Sequence, residues 1–218
     1  MIESRRRTTE LLVKTLGTMS RPPRIFVGAS AIGYYGDHGD ATVDESSGPG
    51  SGFLSEVCVE WETLARPLVD SGMRVAHARI GVVLSPKGGG LKPMLLAFRL
   101  GAGGPFGHGR QFMSWISMPD MVGLLHHALI CQDVRGPFNA VSPNPVANRA
   151  FAQTLGKVLR RPAIMPAPAF ALRAILGELA DGLLLSSLRV IPSKAQATGY
   201  RFRQPDLEAA LRAALGKF

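Results

Sequence analysis

Residues 24–30, Arg24-Ile25-Phe26-Val27-Gly28-Ala29-Ser30, form a short apolar run without polar alternation. Such a run suits a parallel strand covered on both faces. A loop dense in Gly, Asp, Ser and Pro follows over 36–52, and then a helical pattern over 53–70. There Leu54, Cys58, Trp61, Ala65 and Leu68 recur at spacings of three or four. Gly72 breaks the helix, and Val75 to Leu84 reads as a second buried strand. Strand, helix, strand is one βαβ crossover, right-handed by the general rule. The chain is therefore expected to be α/β.

The flanking segments fill in that frame. Residues 4–16 read as a helix, with Leu11, Leu12 and Leu16 apolar and Ser4 as its cap. Beyond the second strand, Gly88-Gly89-Gly90 precedes a short helix near 92–100, and glycines recur from Gly101 to Gly109. Asp120 reads as the N-cap of a helix over Met121 to Cys131, and Phe138-Asn139-Ala140-Val141 as a third strand. Asn148 reads as the cap of a helix that ends at Arg160, before Pro162. From Pro166 the composition shifts to Ala, Leu and Pro, with helical patterns near 169–178 and 205–216. Two domains are expected, 1–165 and a small, mainly helical 166–218.

Composition narrows the class. Hydrophobic residues at 46% and charged residues at 19% exclude a disordered chain. No apolar run reaches the roughly 18 residues of a spanning helix, so no membrane partner is expected. Residues 1–7 lack the apolar region of a secretory signal. Cys58 and Cys131 make no disulfide framework and suit a reducing, cytoplasmic setting. The net charge of +9 divides into +4 over 1–24, −2 over 25–147 and +7 over 148–218. Its basic residues alternate with apolar ones at helical spacing, as in Arg149, Lys157, Arg160 and Arg161, which reads as solvated helix faces. A nucleic-acid partner is not expected.

One absence matters. A dinucleotide-binding half opens with a strand, a G-x-G-x-x-G turn and a helix whose N-terminus faces the pyrophosphate. That spacing, like the P-loop spacing, occurs nowhere in the chain.

Several ordered segments nevertheless carry a resemblance. Ala29-Ser30-Ala31-Ile32-Gly33-Tyr34-Tyr35-Gly36-Asp37 resembles the end of the fifth strand of extended short-chain dehydrogenases/reductases. Gly52-Phe53-Leu54 with Trp61-Glu62, Arg79 to Leu84, Gly88 to Leu91, Pro105 to Gln111, Ser114-Trp115-Ile116, Asp120 and Asn139 to Pro145 follow in order. With Gly177-Glu178 and Ala197 to Phe202, these are similar to the sugar-nucleotide-epimerase-like branch, which has a small C-terminal domain of unknown function. The resemblance implies the C-terminal part of a Rossmann-type, doubly wound parallel sheet followed by a small helical domain. It also implies an NADP or NAD cofactor and a truncated chain that lacks the first Rossmann half, with poor dinucleotide binding by the remainder.

Active members of that superfamily use a Ser or Thr together with a Tyr and a Lys four residues later, the Lys lowering the Tyr pKa for proton relay. Here the Ser/Thr position falls on Ala31, with Ser30 one residue early. Alignment on Glu62 puts Leu54 and Cys58 at the Tyr and Lys positions, and alignment on Phe53 puts Val57 at the Lys position. The remaining catalytic candidates are Ser30, Tyr34 and Tyr35. Arg79, a charge within a buried strand, reads as a partner of Glu62 or Asp44, or, as the resemblance implies, as a phosphate or ribose contact, with Ser30 a second candidate for cofactor contact. His108, Arg110 and Gln111 could clamp a small anionic ligand such as a nucleotide sugar, with Asn139 a further binding candidate. No metal site is expected. A non-catalytic binding protein is the alternative, using the same crevice or self-associating through an uncovered sheet edge.

Overall fold

The computed structural model describes residues 2–177 and 179–217. Three parallel strands form the central sheet in the order β1 (Ile25–Ala31), β3 (Arg74–Ile80), β7 (Gly136–Ala140). The predicted crossover is present, and its helix is two pieces, α2 (Phe53–Leu64) and α3 (Arg66–Asp70). One face of the sheet packs Val75 and Phe26 against Ala65, Leu68, Val13 and Leu16. Val13 and Leu16 belong to α1 (Ile2–Thr18), where Leu11 and Leu12 stay exposed. Ser4 lies inside that helix instead of capping it.

The second predicted strand is also divided. β3 stops at Ile80 and β4 (Val82–Leu84) pairs with β6 (Trp115–Ser117). Gly81 makes the joint, since a Cβ there would lie 2.6 Å from the Ser114 carbonyl oxygen. No side chain fits that approach.

The opposite face of the sheet is covered by α5 (Met118–Ile130), whose Met121, Leu124 and Ala128 meet Ala76, Ala78 and Phe138. The predicted cap is displaced here. Ser117 is the N-cap, and its side chain accepts the Asp120 backbone N–H at 3.2 Å. At the other end of α5, the buried Arg74 guanidinium donates to the carbonyls of Ala128, Leu129, Cys131 and Val134. A cation there complements the unpaired carbonyls and the negative end of the helix dipole.

A second core joins α4 (Leu91–Arg99), α6 (Asn148–Leu159) and α9 (Leu207–Leu215) through Phe98, Trp115, Phe151, Leu155 and Leu211. Asn148 is not the cap of α6; that position is Ala147, and the Asn148 side chain accepts the Phe106 N–H at 2.7 Å. After α7 (Ala169–Leu176) comes a π-helical turn, Asp181–Leu185. β9 (Arg189–Val190) then pairs with β2 (Thr42–Val43), and α8 (Ser193–Ala197) lies against β7. β5 (Phe112–Met113) and β8 (Val146–Ala147) form a further antiparallel pair.

The two edges of the central sheet differ. On β7, the Asn139 N–H donates to Glu45 Oε1 at 2.8 Å, Pro137 has no N–H, and Lys194 Nζ donates to the carbonyls of Pro137 and Arg135. Charged side chains thus close that edge. β1 pairs with β3 alone, and Ile25 to Gly28 are half-buried while Ala29 is exposed.

Candidate functional site

The parallel register aligns Ser30, Arg79 and Asn139 across the three strands, near their C-terminal ends. That is where ligands sit in open α/β sheets. Arg79 is 2% exposed. Its Nε and Nη2 donate to the two oxygens of Glu62 at 2.9 and 2.8 Å, and its Nη1 donates to the Tyr35 hydroxyl at 3.0 Å. A buried guanidinium needs such a partner, and α2 supplies it from its last turn. Of the two carboxylates expected from the sequence, Glu62 is the one found; Asp44 instead accepts from Ser46 and Ser193. Burial pulls against the Arg79 charge, but the hydrogen bonds to Glu62 and Tyr35 outweigh it and hold the pKa above the ordinary guanidinium value.

The rest of the row is equally committed. Ser30 donates to Glu62 Oε1 at 2.8 Å. The Tyr35 hydroxyl donates to Asn139 Oδ1 at 2.7 Å, and Asn139 Nδ2 donates to the Ile191 carbonyl at 2.9 Å. Burial pushes the Tyr35 pKa up, more than its contacts with Arg79 bring it down. A phenol so held is a poor proton relay. Tyr34 lays its ring over the guanidinium, 3.4 Å from centroid to Cζ. Cys58 is 3% exposed, and burial raises its thiol pKa, which keeps it protonated. The structure thus unites Ser30, Tyr34, Tyr35, Arg79 and Asn139 in one network whose polar groups mostly serve each other.

His108, Arg110 and Gln111 stand apart from it. Two hollows adjoin there. The first, about 530 Å³, lies between the N-terminus of α2 at Phe53 and Leu54, the exposed His108, and Arg173 and Asp181 of the C-terminal segment. Arg173 and Asp181 make a two-pronged ion pair at 2.8 to 3.1 Å beside it. The second, about 440 Å³, brings His108, Arg110 and Gln111 together with Asp37, Asp40 and Ser187. Gln111 is buried; its Nε2 donates to Phe106 and Leu184 carbonyls, and its Oε1 has no partner among the described residues. His108, Arg110 and Gln111 thus line one hollow, and Asn139, the further binding candidate, lies in the strand-end network instead.

Sequence reasoning missed Glu45, Asp37, Arg173 and Asp181. Asp37 closes the Ala29–Asp37 stretch that carries the resemblance but is not itself singled out by it, Glu45 sits in polar loop sequence, and Arg173 and Asp181 are single charges in apolar stretches with no motif to mark them. Dinucleotide fit is partial at best. Arg79, the cation at the strand ends, is already neutralised by Glu62, and no G-x-G-x-x-G turn occurs in the sequence to cradle a pyrophosphate. No group of three or more metal-ligating side chains occurs among the described residues, and no helix among them is long and apolar enough to cross a membrane.

Comparison with known proteins adds the following. A family model described as a domain of unknown function, DUF1731, matches residues 167–214. The chain is 45% identical over 185 residues to the epimerase family protein Mb2239 of Mycobacterium bovis, which covers 85% of this chain and 62% of that protein. It is 42% identical over 213 residues to the epimerase family protein SDR39U1 of Homo sapiens, covering 97% of this chain and 72% of that protein. The crystal structure of human SDR39U1 (isoform 2) with NADPH superposes with a TM-score of 0.94 and 40% identity, over 100% of this chain and 74% of the human chain. The nucleoside-diphosphate sugar epimerase from Corynebacterium glutamicum gives a TM-score of 0.78 and 35% identity, over 98% of this chain and 42% of the other. The chain therefore spans about three fifths of the mycobacterial relative's length. These matches give shares of length, and do not support the expectation that a first Rossmann half has been lost.

Proposed function

The chain belongs to the epimerase family of the extended short-chain dehydrogenase/reductase superfamily, and on that premise we propose that it serves an NAD(P)-linked, nucleotide-sugar-epimerase-like function without the Ser/Tyr/Lys proton relay. The observation that carries this reading is the locked row at the strand ends. Ser30, Arg79 and Asn139 lie at the strand ends with Tyr35 beside them, and Glu62 and one another take up their hydrogen bonds. When bound, a nicotinamide cofactor would supply hydride chemistry. The human relative's NADPH supports NADP as the cofactor in question. The chain's own residues orient and enclose: His108 and Arg110 meet the anionic part of the ligand beside the C-terminal segment, and the Gln111 Oε1, unpartnered among the described residues, accepts from a ligand hydroxyl or N–H. The two unpaired cysteines support a cytoplasmic setting.

A thermal-shift titration with NADPH, NADH and a nucleotide sugar tests this, because a ligand that binds only the folded form raises its stability. NADPH and the nucleotide sugar are each expected to raise Tm, with little hydride exchange. No shift with either dinucleotide would overturn the reading, as would brisk turnover. A second reading, a binding protein without catalysis, draws on the contrast between the two sheet edges. It requires self-association through β1 and no response to any nucleotide.

A further inference from the structure

Acidic residues are absent from two long stretches of the chain, 71–119 and 134–177, each of which carries six Lys or Arg. The fold packs these stretches together. α4 from the first lies against α6 from the second through Phe98, Phe151 and Leu155. The chain leaves α6 through Arg160, in the left-handed conformation at φ 54°, and runs back past the end of α4. There the Met165 N–H donates to the Gly103 carbonyl at 3.1 Å, and Ala163 packs beside Phe98 in the core.

This course sets four large apolar side chains in solvent around one end of α4: Leu96 at 61% exposure, Leu100 at 75%, Ile164 at 78% and Met165 at 56%. Lys92 and Arg99 border a shallow hollow with Leu96, and Arg160 and Arg161 precede Ile164 in the chain. All four cations are exposed, and none makes an ion pair or side-chain hydrogen bond with a described residue. Glu208, the carboxylate that α9 brings to α6, is already engaged by Lys157 and Arg212. Unneutralised cations around exposed aliphatic side chains match a partner that is anionic outside and apolar just beneath.

We propose that this face docks on an anionic membrane surface, with Leu96, Leu100, Ile164 and Met165 entering the headgroup boundary and Lys92, Arg99, Arg160 and Arg161 meeting lipid phosphates and carboxylates. The charge complementarity selects the occupant. Aliphatic side chains favour lipid over nucleic acid, which stacks on aromatic rings. The expectation of no membrane partner rested on the missing apolar span, and peripheral docking needs none.

Flotation of the 218-residue chain with phosphatidylcholine vesicles, with and without phosphatidylserine, tests the proposal. Binding is expected with phosphatidylserine, weakened by salt, and absent with phosphatidylcholine alone. Arg99→Gln and Arg161→Gln should each lower partitioning about 5-fold, from roughly 1 kcal/mol per basic residue near such a surface. Leu100→Ser and Ile164→Ser should each lower it several-fold at unchanged Tm, since these side chains are solvent-exposed in the folded chain. No flotation at low salt overturns the proposal, as does binding indifferent to all four substitutions. Tighter binding of single-stranded RNA than of vesicles, or a vesicle-free dimer that Leu100→Ser dissociates, assigns the face elsewhere and equally overturns it.

Discussion

Arg79 and Glu62 form a two-pronged ion pair, with side-chain exposures of only 3% and 14%. One belongs to β3 and the other to α2, so the pair also pins the helix to the strand ends. Its worth lies in the cost of breaking it.

Glu62→Gln should destabilise the fold by about 3–5 kcal/mol, because it leaves a buried guanidinium uncompensated. Urea unfolding measures this directly. The double change Glu62→Gln, Arg79→Met should recover part of the loss. Equal stability of Glu62→Gln and the parent would mean that Arg79 finds water or another partner.

Asp120 is a second junction. Its carboxylate accepts from Ser117, from the backbone N–H groups of Arg203 and Gln204 at 2.8 and 2.9 Å, and from the Tyr200 hydroxyl. Asp120→Ala should cost about 3 kcal/mol, in the range for buried donors that lose a charged acceptor. Amide exchange should accelerate at 199–206 more than in β1 or β3. A uniform acceleration would contradict the local role.

His77 lies on the sheet face above Gly28, and burial lowers its pKa below the ordinary 6.5. Above that value both folded and unfolded states hold a neutral ring. As pH falls below it, the unfolded chain takes the proton first, so stability declines toward the lower, folded value. Tm followed from pH 7 downward should fall less steeply in His77→Gln.

Tyr200 shows the opposite sign. Burial, followed by the Asp120 charge, pushes its pKa up to about 12 from 10.0. The stability it lends is complete below 10 and lost as pH rises toward 12. Ultraviolet titration of Tyr200→Phe should lack one late-appearing tyrosinate.

The open β1 edge leads to a test of association. Ala29→Lys, at an exposed position of β1, should reduce any concentration-dependent rise in mass by light scattering. A parent chain that stays monomeric at high concentration would remove the self-association reading.

The βαβ frame was legible because buried parallel strands leave continuous apolar runs, as Ile25 to Ala31 does. Arg79 was legible because a charge inside such a run demands a partner, and Glu62 was one of two offered. The caps were misread for a specific reason: Ser117-x-x-Asp120 contains two good capping residues three apart, and only the fold decides which comes first. The pairing of Thr42-Val43 with Arg189-Val190 left no signal, since two-residue strands carry no period. Arg74 went unnoticed because its partners are backbone carbonyls, which no sequence pattern marks.

The sealing of β7 depends on residues that the sequence assigns to a separate helical unit. Lys194 caps its carbonyls, the Ile191 carbonyl takes the Asn139 amide, and Ser193 and Lys194 steady the acidic loop that holds the Asn139 N–H. A polypeptide severed after residue 165 would therefore bare raw hydrogen-bonding rows on both flanks of a three-stranded ribbon, and would gain a second way to stick to its neighbours.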